Sequence, residues 1–224
     1  MEITAIIVAR KGSKRVMSKS LLKLNGESLI ERKVHQLQQC KNINRIVVGS
    51  DSDEMLYEGR KAGAEVVKRP EFYCDETVAS ANDMIKNMCE LIHTDIVVWS
   101  HCTNPLLSTD TYDNAIGTFL ENLNKGYDSL LSVVELKEHL WDTNKKVFNY
   151  NPYASRHVPA RELPPMYMQD GGIFIQPYEQ MKSNSYFFGK NPYLFEIPKE
   201  EFLDINEYRD YLLAKILIEQ NGGI

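Results

Sequence analysis

Residues 3–20 read ITAIIVARKGSKRVMSKS, and the reading of this stretch decides the fold. Ile3, Ala5, Ile6, Ile7 and Val8 form a nearly unbroken apolar run, the pattern of a parallel strand buried on both faces. The run stops abruptly in a loop where Arg10, Lys11, Lys14, Arg15 and Lys19 fall within ten residues around Gly12 and Ser13. Open α/β sheets bind ligands beyond the carboxyl ends of their strands. A loop there that joins free backbone N–H groups to concentrated positive charge suits a polyphosphate, with a solvated basic turn as the alternative. It contains neither the Gly-x4-Gly-Lys-Ser/Thr loop nor the Gly-x-Gly-x-x-Gly dinucleotide fingerprint, so a different nucleotide-binding design is expected.

The segments that follow repeat the strand-then-helix pattern. Leu29, Ile30, Val34 and Leu37 share one helix face behind Ser28, and INRIVVGSDS (43–52) is a second short β-branched run. A helix from about Ser52 to Gly63 and the strand AEVVKRP complete consecutive βαβ units, which imply a parallel sheet with right-handed crossovers. A further helix begins near Ser80, a buried strand covers Ile96–Trp99, and Tyr112, Ile116, Phe119 and Leu120 fall at helical spacing. After the strand DSLLSVVEL (128–136) the periodicity lapses until about residue 169. The last periodic segment is a helix expected to turn Tyr208, Tyr211, Leu212 and Ile216 toward the core.

At 224 residues the chain suits a single domain with a substantial core. The net charge of −5 argues against a general nucleic-acid binder, since the positive charge is local. No apolar run approaches the roughly 18 residues of a membrane span, and Arg10 and Lys11 interrupt the only hydrophobic segment near the N-terminus. Cys40, Cys74, Cys89 and Cys102 are never closer than thirteen residues, so they read as reduced thiols of a cytoplasmic protein.

ARKGSKR with Lys19, followed by LLKLNGESLIERKV, resembles the opening of the cytidylyltransferases that make CMP-activated acid sugars, the CMP-sialic acid synthetase family, whose signature reads approximately ARxGSKxxxxKN. Ser20 stands where that signature has Asn. The resemblance extends through TNPL (103–106), QDGGIFIQP (169–177), the Phe187-Phe188 pair and LDINEYRD (203–210), and so spans essentially the whole chain. It implies a single Rossmann-like nucleotidyltransferase domain over residues 1–224, a mostly parallel sheet flanked by helices, and a protruding dimerisation arm at about 137–169. Tyr150, Tyr153, Met166, Tyr167 and Met168 would supply that arm's apolar contacts in a homodimer, with a disordered loop as the alternative.

The site residues follow from the same resemblance. Ala9, Arg10, Lys11, Gly12, Ser13, Lys14, Arg15 and Lys19 would surround the triphosphate of CTP, with Arg10, Lys14 and Lys19 catalytic. Arg69 and Ser80 would contact the nucleotide, or else close a loop and cap a helix. His101 falls where the family uses Gln to read cytosine, and an imidazole cannot present an amide's paired donor and acceptor. Arg156 and Arg161 would pair bidentately with the acceptor's carboxylate or phosphate, or else form surface ion pairs. Asp170 replaces an acceptor-facing Asn, and Phe187 and Phe188 would wall the acceptor pocket or join the core. Asp204 and Asn206 stand where two aspartates hold Mg2+, unless they merely cap the final helix.

The resemblance implies a cytidylyltransferase that moves CMP from CTP to a small acidic acceptor of the nonulosonic type, releasing pyrophosphate, with no nucleic-acid or membrane partner expected. Two other functions fit the altered positions Ser20, His101, Asp170 and Asn206. One is transfer to a phosphate or phosphonate ester, and the other is a nucleotide-binding module without catalysis.

Overall fold

Ile3–Val8 form the first strand, β1, paired on both sides inside the main sheet, and the expected strands follow in chain order, joined by a strand at Pro192–Glu196 that the sequence reading did not anticipate. The computed structural model describes residues 1–12 and 15–220. A two-stranded ribbon, β2 (Lys23–Leu24) and β3 (Glu27–Ser28), leads into α1 (Leu29–Gln38), then β4 (Arg45–Ser50), α2 (Asp53–Lys61) and β5 (Glu65–Lys68). There follow α3 (Ala81–Leu91), β6 (Ile96–Ser100), α4 (Thr109–Leu123) and β7 (Ser129–Leu136). The chain ends with β8 (Met166–Pro177), α5 (Tyr178–Asn184), β9 (Pro192–Glu196) and α6 (Tyr208–Gln220).

Among the described residues the main sheet has the order β5-β4-β1-β6-β8-β7-β9. β1 pairs in parallel with β4 and β6, placing Ile6 opposite both Val47 and Trp99. β8 is antiparallel to β6 and β7, and β9 returns parallel to β7, so the sheet is mostly parallel. Strand alternation divides the core in two. Ile3, Ala5 and Ile7 pack with α1, α4 and the buried Ala214 and Ile218 of α6. Ile6 and Val47 pack with Ile85 and Met88 of α3 and Met181 of α5.

Serine caps fix where the helices begin. Ser28 Oγ accepts from Glu31 N at 3.1 Å while Glu31 Oε2 accepts from Ser28 N at 2.9 Å, and Ser80 forms the same reciprocal box with Asp83. Such caps are each worth about 0.5–2 kcal/mol.

Two boundaries differ from the sequence expectation. β8 begins at Met166 and pairs Met166, Tyr167 and Met168 with Leu136, Glu135 and Val134. The irregular region is therefore 137–165, and Met166, Tyr167 and Met168 belong to the sheet because their backbone completes the β7 ladder. In α6 the outward residues are Tyr208, Leu212, Leu213 and Ile216, while Ala214 and Ile218 are buried and Tyr211 is half-buried against the core. Apolar residues surround much of that helix, so periodicity did not select the covered side.

Between Val133↔Gln169 and Leu131↔Phe174 the β7–β8 register slips, leaving Asp170–Ile173 as a bulge on β8. Gly171 takes a φ of 77° there, a conformation that costs glycine little. The bulge bends toward His101, whose Nδ1 would lie 3.8 Å from a Cβ at Gly171.

One buried cation couples this fold to pH. Lys33 on α1 is wholly buried, and burial lowers its pKa from 10.5 to about 7 despite the opposing influence of Cys102, Cys40 and Asp170; Arg32 pushes the same way as burial, and Tyr112 faces it. Between those values the unfolded chain binds the extra proton, so this residue makes stability rise with pH from about 7. The thiols of Cys40 and Cys89, pushed up to about 12 by burial, reverse the trend above about pH 9. Denaturant titrations should show stability increasing from pH 7 to 9, with the slope reduced in Lys33→Met.

Candidate active site

The carboxyl ends of β1 and β6 open into a cavity of about 540 Å³. Its basic wall contains Arg10, Arg15 and Lys19 beside Ala9 and Ser20. Lys19 Nζ donates to the Ile205 carbonyl at 2.6 Å, and burial lowers its pKa against the opposing pull of Asp204. Arg15 donates to Asn206 Oδ1 at 2.9 Å. Arg10 pairs with Glu76 and donates to the Cys74 carbonyl at 3.4 Å. Lys11 and Gly12 are exposed outside the lining, with the Lys11 backbone N–H bound to Asp51 at 3.0 Å. Ser13 and Lys14 lie outside the described residues.

Arg69 and Ser80 both reach the cavity, but each already has a structural partner. Arg69 is buried and donates to Asn87 Oδ1 at 3.2 Å and to the Tyr73 carbonyl at 3.1 Å. Ser80 Oγ donates to Asp83 Oδ2 at 2.7 Å in the cap of α3. Arg69 thus closes a loop and Ser80 caps a helix while both face the cavity.

His101 sits beneath the cavity as a neutral ring, because burial pushes its pKa below the usual histidine range. Trp99 Nε1 can only donate, so the 3.2 Å contact makes His101 Nε2 the acceptor. The other ring nitrogen bonds the Gly171 backbone. With both nitrogens engaged, the imidazole offers a base its ring rather than a free hydrogen-bonding edge.

Asp204 and Asn206 face the basic wall. Asn206 Nδ2 donates to Asp204 Oδ2 at 2.6 Å. Asp204 Oδ1 is buried and, among the described residues, meets no donor. Neither residue caps α6. That task falls to Asp210, whose Oδ2 accepts from Asn206 N at 2.9 Å and Glu207 N at 2.8 Å. The intervening Ile205 N–H donates to the Thr103 carbonyl at 2.9 Å.

Comparison with known proteins agrees with this geometry. A family model described as Cytidylyltransferase matches residues 4–215. The chain belongs to the cytidylyltransferase family. It is 24% identical over 233 residues to the pseudaminic acid cytidylyltransferase of Campylobacter jejuni, covering 99% of this chain and 98% of that one. It is 27% identical over 229 residues to CMP-N,N'-diacetyllegionaminic acid synthase of the same species, covering 97% and 95%. In three dimensions it superposes on CMP:2-keto-3-deoxy-manno-octonic acid synthetase complexed with CTP, at a TM-score of 0.73 and 13% identity, covering 99% of this chain and all of that one.

The remaining residues predicted for this cytidylyltransferase lie apart from the cavity. Phe187 stacks on Phe174 at 4.8 Å and meets Trp99 edge-on at 5.5 Å, and Phe188 packs against the same cluster, so the half-buried pair lies against the core. Asp170 is buried in the β8 bulge rather than turned to an acceptor, with Oδ2 accepting from Gly172 N at 3.1 Å. Burial raises its pKa, and the Ser132 hydroxyl opposes that shift. Arg156 and Arg161 are exposed on the 137–165 segment, where Arg156 pairs with Glu162 at 2.9 Å.

Sequence reading missed Tyr73, Glu76, Met84 and Thr103, all of which line the cavity. Glu76 carried the clearest available signal, as an acid in the irregular segment between Arg69 and Ser80. Its carboxylate holds Arg10 and adds negative charge where a triphosphate would bind. Glu76→Gln should therefore tighten CTP binding severalfold at low salt and less at high salt, as calorimetry at two ionic strengths would show.

Proposed function

We propose that this cytidylyltransferase transfers CMP from CTP to an acid sugar of the nonulosonic type and releases pyrophosphate. The observation that carries the reading is one cavity with basic side chains on one wall and, on the other, a buried carboxylate oxygen that has no partner among the described residues. Two relatives that match end to end are named for pseudaminic and diacetyllegionaminic acids, which favours an acid sugar as acceptor. The phosphate-ester alternative drew on Asp170 repelling an acid, and that carboxyl lies buried in the β8 bulge.

Attack by an acceptor oxygen on the α-phosphorus forms a new P–O bond as the bond to the β-phosphate oxygen breaks, and the electron pair leaves with pyrophosphate. Charge gathers on phosphate oxygens, so the protein's work is positioning and neutralisation. Arg10, Arg15 and Lys19 supply positive charge, with Lys14 and the backbone of Gly12 and Ser13 proposed as further contacts. Arg69 and the start of α3 at Ser80 serve the nucleoside side. In the acceptor's part Arg156 and Arg161 remain candidates through the 137–165 segment, whereas Asp170, Phe187 and Phe188 act from behind the cavity.

Asp204 fits a divalent cation because Oδ1 is buried without a donor among the described residues, an arrangement that a cation would satisfy. Asn206 could add its amide oxygen after releasing Arg15. When bound there, Mg2+ would act as Lewis acid and template for the triphosphate.

Residues 137–165 carry the exposed Trp141, Phe148 and Tyr153, which support the reading of this segment as an arm joining a homodimer. Four free, buried cysteines suit the cytoplasm. No helix among the described residues is long and apolar enough to cross a membrane.

Pyrophosphate release measured with each nucleoside triphosphate and a panel of acid sugars and phosphate esters tests the reaction; release that is indifferent to CTP would sink it. Lys19→Ala should lower turnover tenfold or more at subsaturating CTP, the equivalent of about 1.5–3 kcal/mol for a charge-assisted contact. Asp204→Ala should raise the magnesium concentration at half-maximal rate, while Asn206→Asp should lower it or leave it unchanged. Identical magnesium curves for all three proteins would remove the cation from this turn. Light scattering should give a dimer for the full chain and a monomer after deletion of 140–160.

A further inference from the structure

Lys33 takes no part in the chemistry above, yet it is wholly buried on the inner side of α1. Its Nζ donates to the Asn104 carbonyl at 2.9 Å and to the Tyr112 hydroxyl at 2.9 Å. That hydroxyl lies 2.5 Å from Ser100 Oγ at the end of β6. Two neighbours on α1 reach the next carbonyl: Arg32 Nε and Gln36 Nε2 donate to Pro105 O at 3.1 and 2.9 Å.

The segment these donors grip is the turn 101–105, which leaves the sheet and has little support of its own. Its internal backbone bond, Asn104 N to His101 O, is long at 3.4 Å. Buried carbonyls need partners, and those of Asn104 and Pro105 find them on α1 side chains. Burying an amine is costly, and an apolar chain of similar length would fill the same space at lower cost. What the lysine adds is its donors and where they point.

The grip extends to the cavity. His101, Cys102 and Thr103 line it, and the Thr103 carbonyl holds Ile205 N at 2.9 Å between Asp204 and Asn206. We propose that Lys33, assisted by Arg32 and Gln36, is a positioning residue. It sets the 101–105 turn and, through Thr103, the Asp204–Asn206 segment in the geometry that binds CTP. The proposal rests on the cytidylyltransferase reading for its ligand.

The test measures CTP affinity by calorimetry with magnesium and no acceptor, alongside thermal unfolding, for wild type, Lys33→Met and Tyr112→Phe. Wild type binding CTP is the starting control; if it did not bind, the nucleotide reading would fall and this proposal with it. Lys33→Met keeps the buried volume and loses both bonds, and should raise the CTP Kd tenfold or more. Tyr112→Phe loses the lysine's other acceptor but leaves the Asn104 bond, so it should lower the melting temperature while keeping Kd within twofold. An unchanged Kd in Lys33→Met, or an equal rise in Tyr112→Phe, would make Lys33 a stability residue only. If Lys33→Met does not fold, Arg32→Leu combined with Gln36→Leu removes the paired grip on Pro105. That variant should raise Kd at least threefold, and an unchanged value would overturn the proposal.

Discussion

Both polar groups of the Ile205 main chain are held by parts of the chain far away in sequence. Its N–H meets the Thr103 carbonyl at 2.9 Å, and its C=O meets Lys19 Nζ at 2.6 Å. Ile205 itself is fully buried, so the segment cannot move outward without exposing an apolar side chain and breaking both bonds. This one anchor joins the first strand's loop, the β6 turn and the approach to α6. It fixes Asp204 and Asn206 opposite the basic wall although neither belongs to a helix or strand.

Each described cation of the basic wall already rests on an acceptor from the protein. Arg10 holds Glu76, Arg15 holds Asn206, and Lys19 holds a backbone carbonyl. These acceptors keep like charges oriented inward without a ligand, where mutual repulsion would otherwise spread them into solvent. The hold is graded. A neutral amide or carbonyl yields to a phosphate oxygen more readily than a carboxylate does, so Arg10 has the strongest competitor and Arg15 and Lys19 the weaker ones.

The parallel half of the fold was legible because its signals are local: β-branched runs ending in small polar residues, and serines placed to cap α1, α2, α3 and α4. The basic loop was legible for the same reason. Other features were set by neighbours that periodicity cannot see. The apolar pattern of α6 is broad, and only packing determines that Ala214 and Ile218, rather than Leu212 and Ile216, are covered. Asp170 read as acceptor-facing from its place in a motif, but a register slip in β8 turns it inward. Asp204 and Asn206 could have been a helix cap, and it took the positions of Asp210's bonds to exclude that. The Phe187–Phe188 pair was expected to wall a pocket or join the core, and it lies half-buried against Phe174 and Trp99.

The chain's two tryptophans sit at opposite extremes of this architecture. Trp99 is wholly buried, with its indole N–H bound to the imidazole beneath the cavity, whereas Trp141 is largely exposed on the irregular segment. The molecule therefore carries two built-in fluorophores with different surroundings. The buried indole is placed to report on the cavity floor, and the exposed one on the segment from 137 to 165. Light absorbed by one unmodified chain can thus distinguish an event at its catalytic end from an event on its irregular segment.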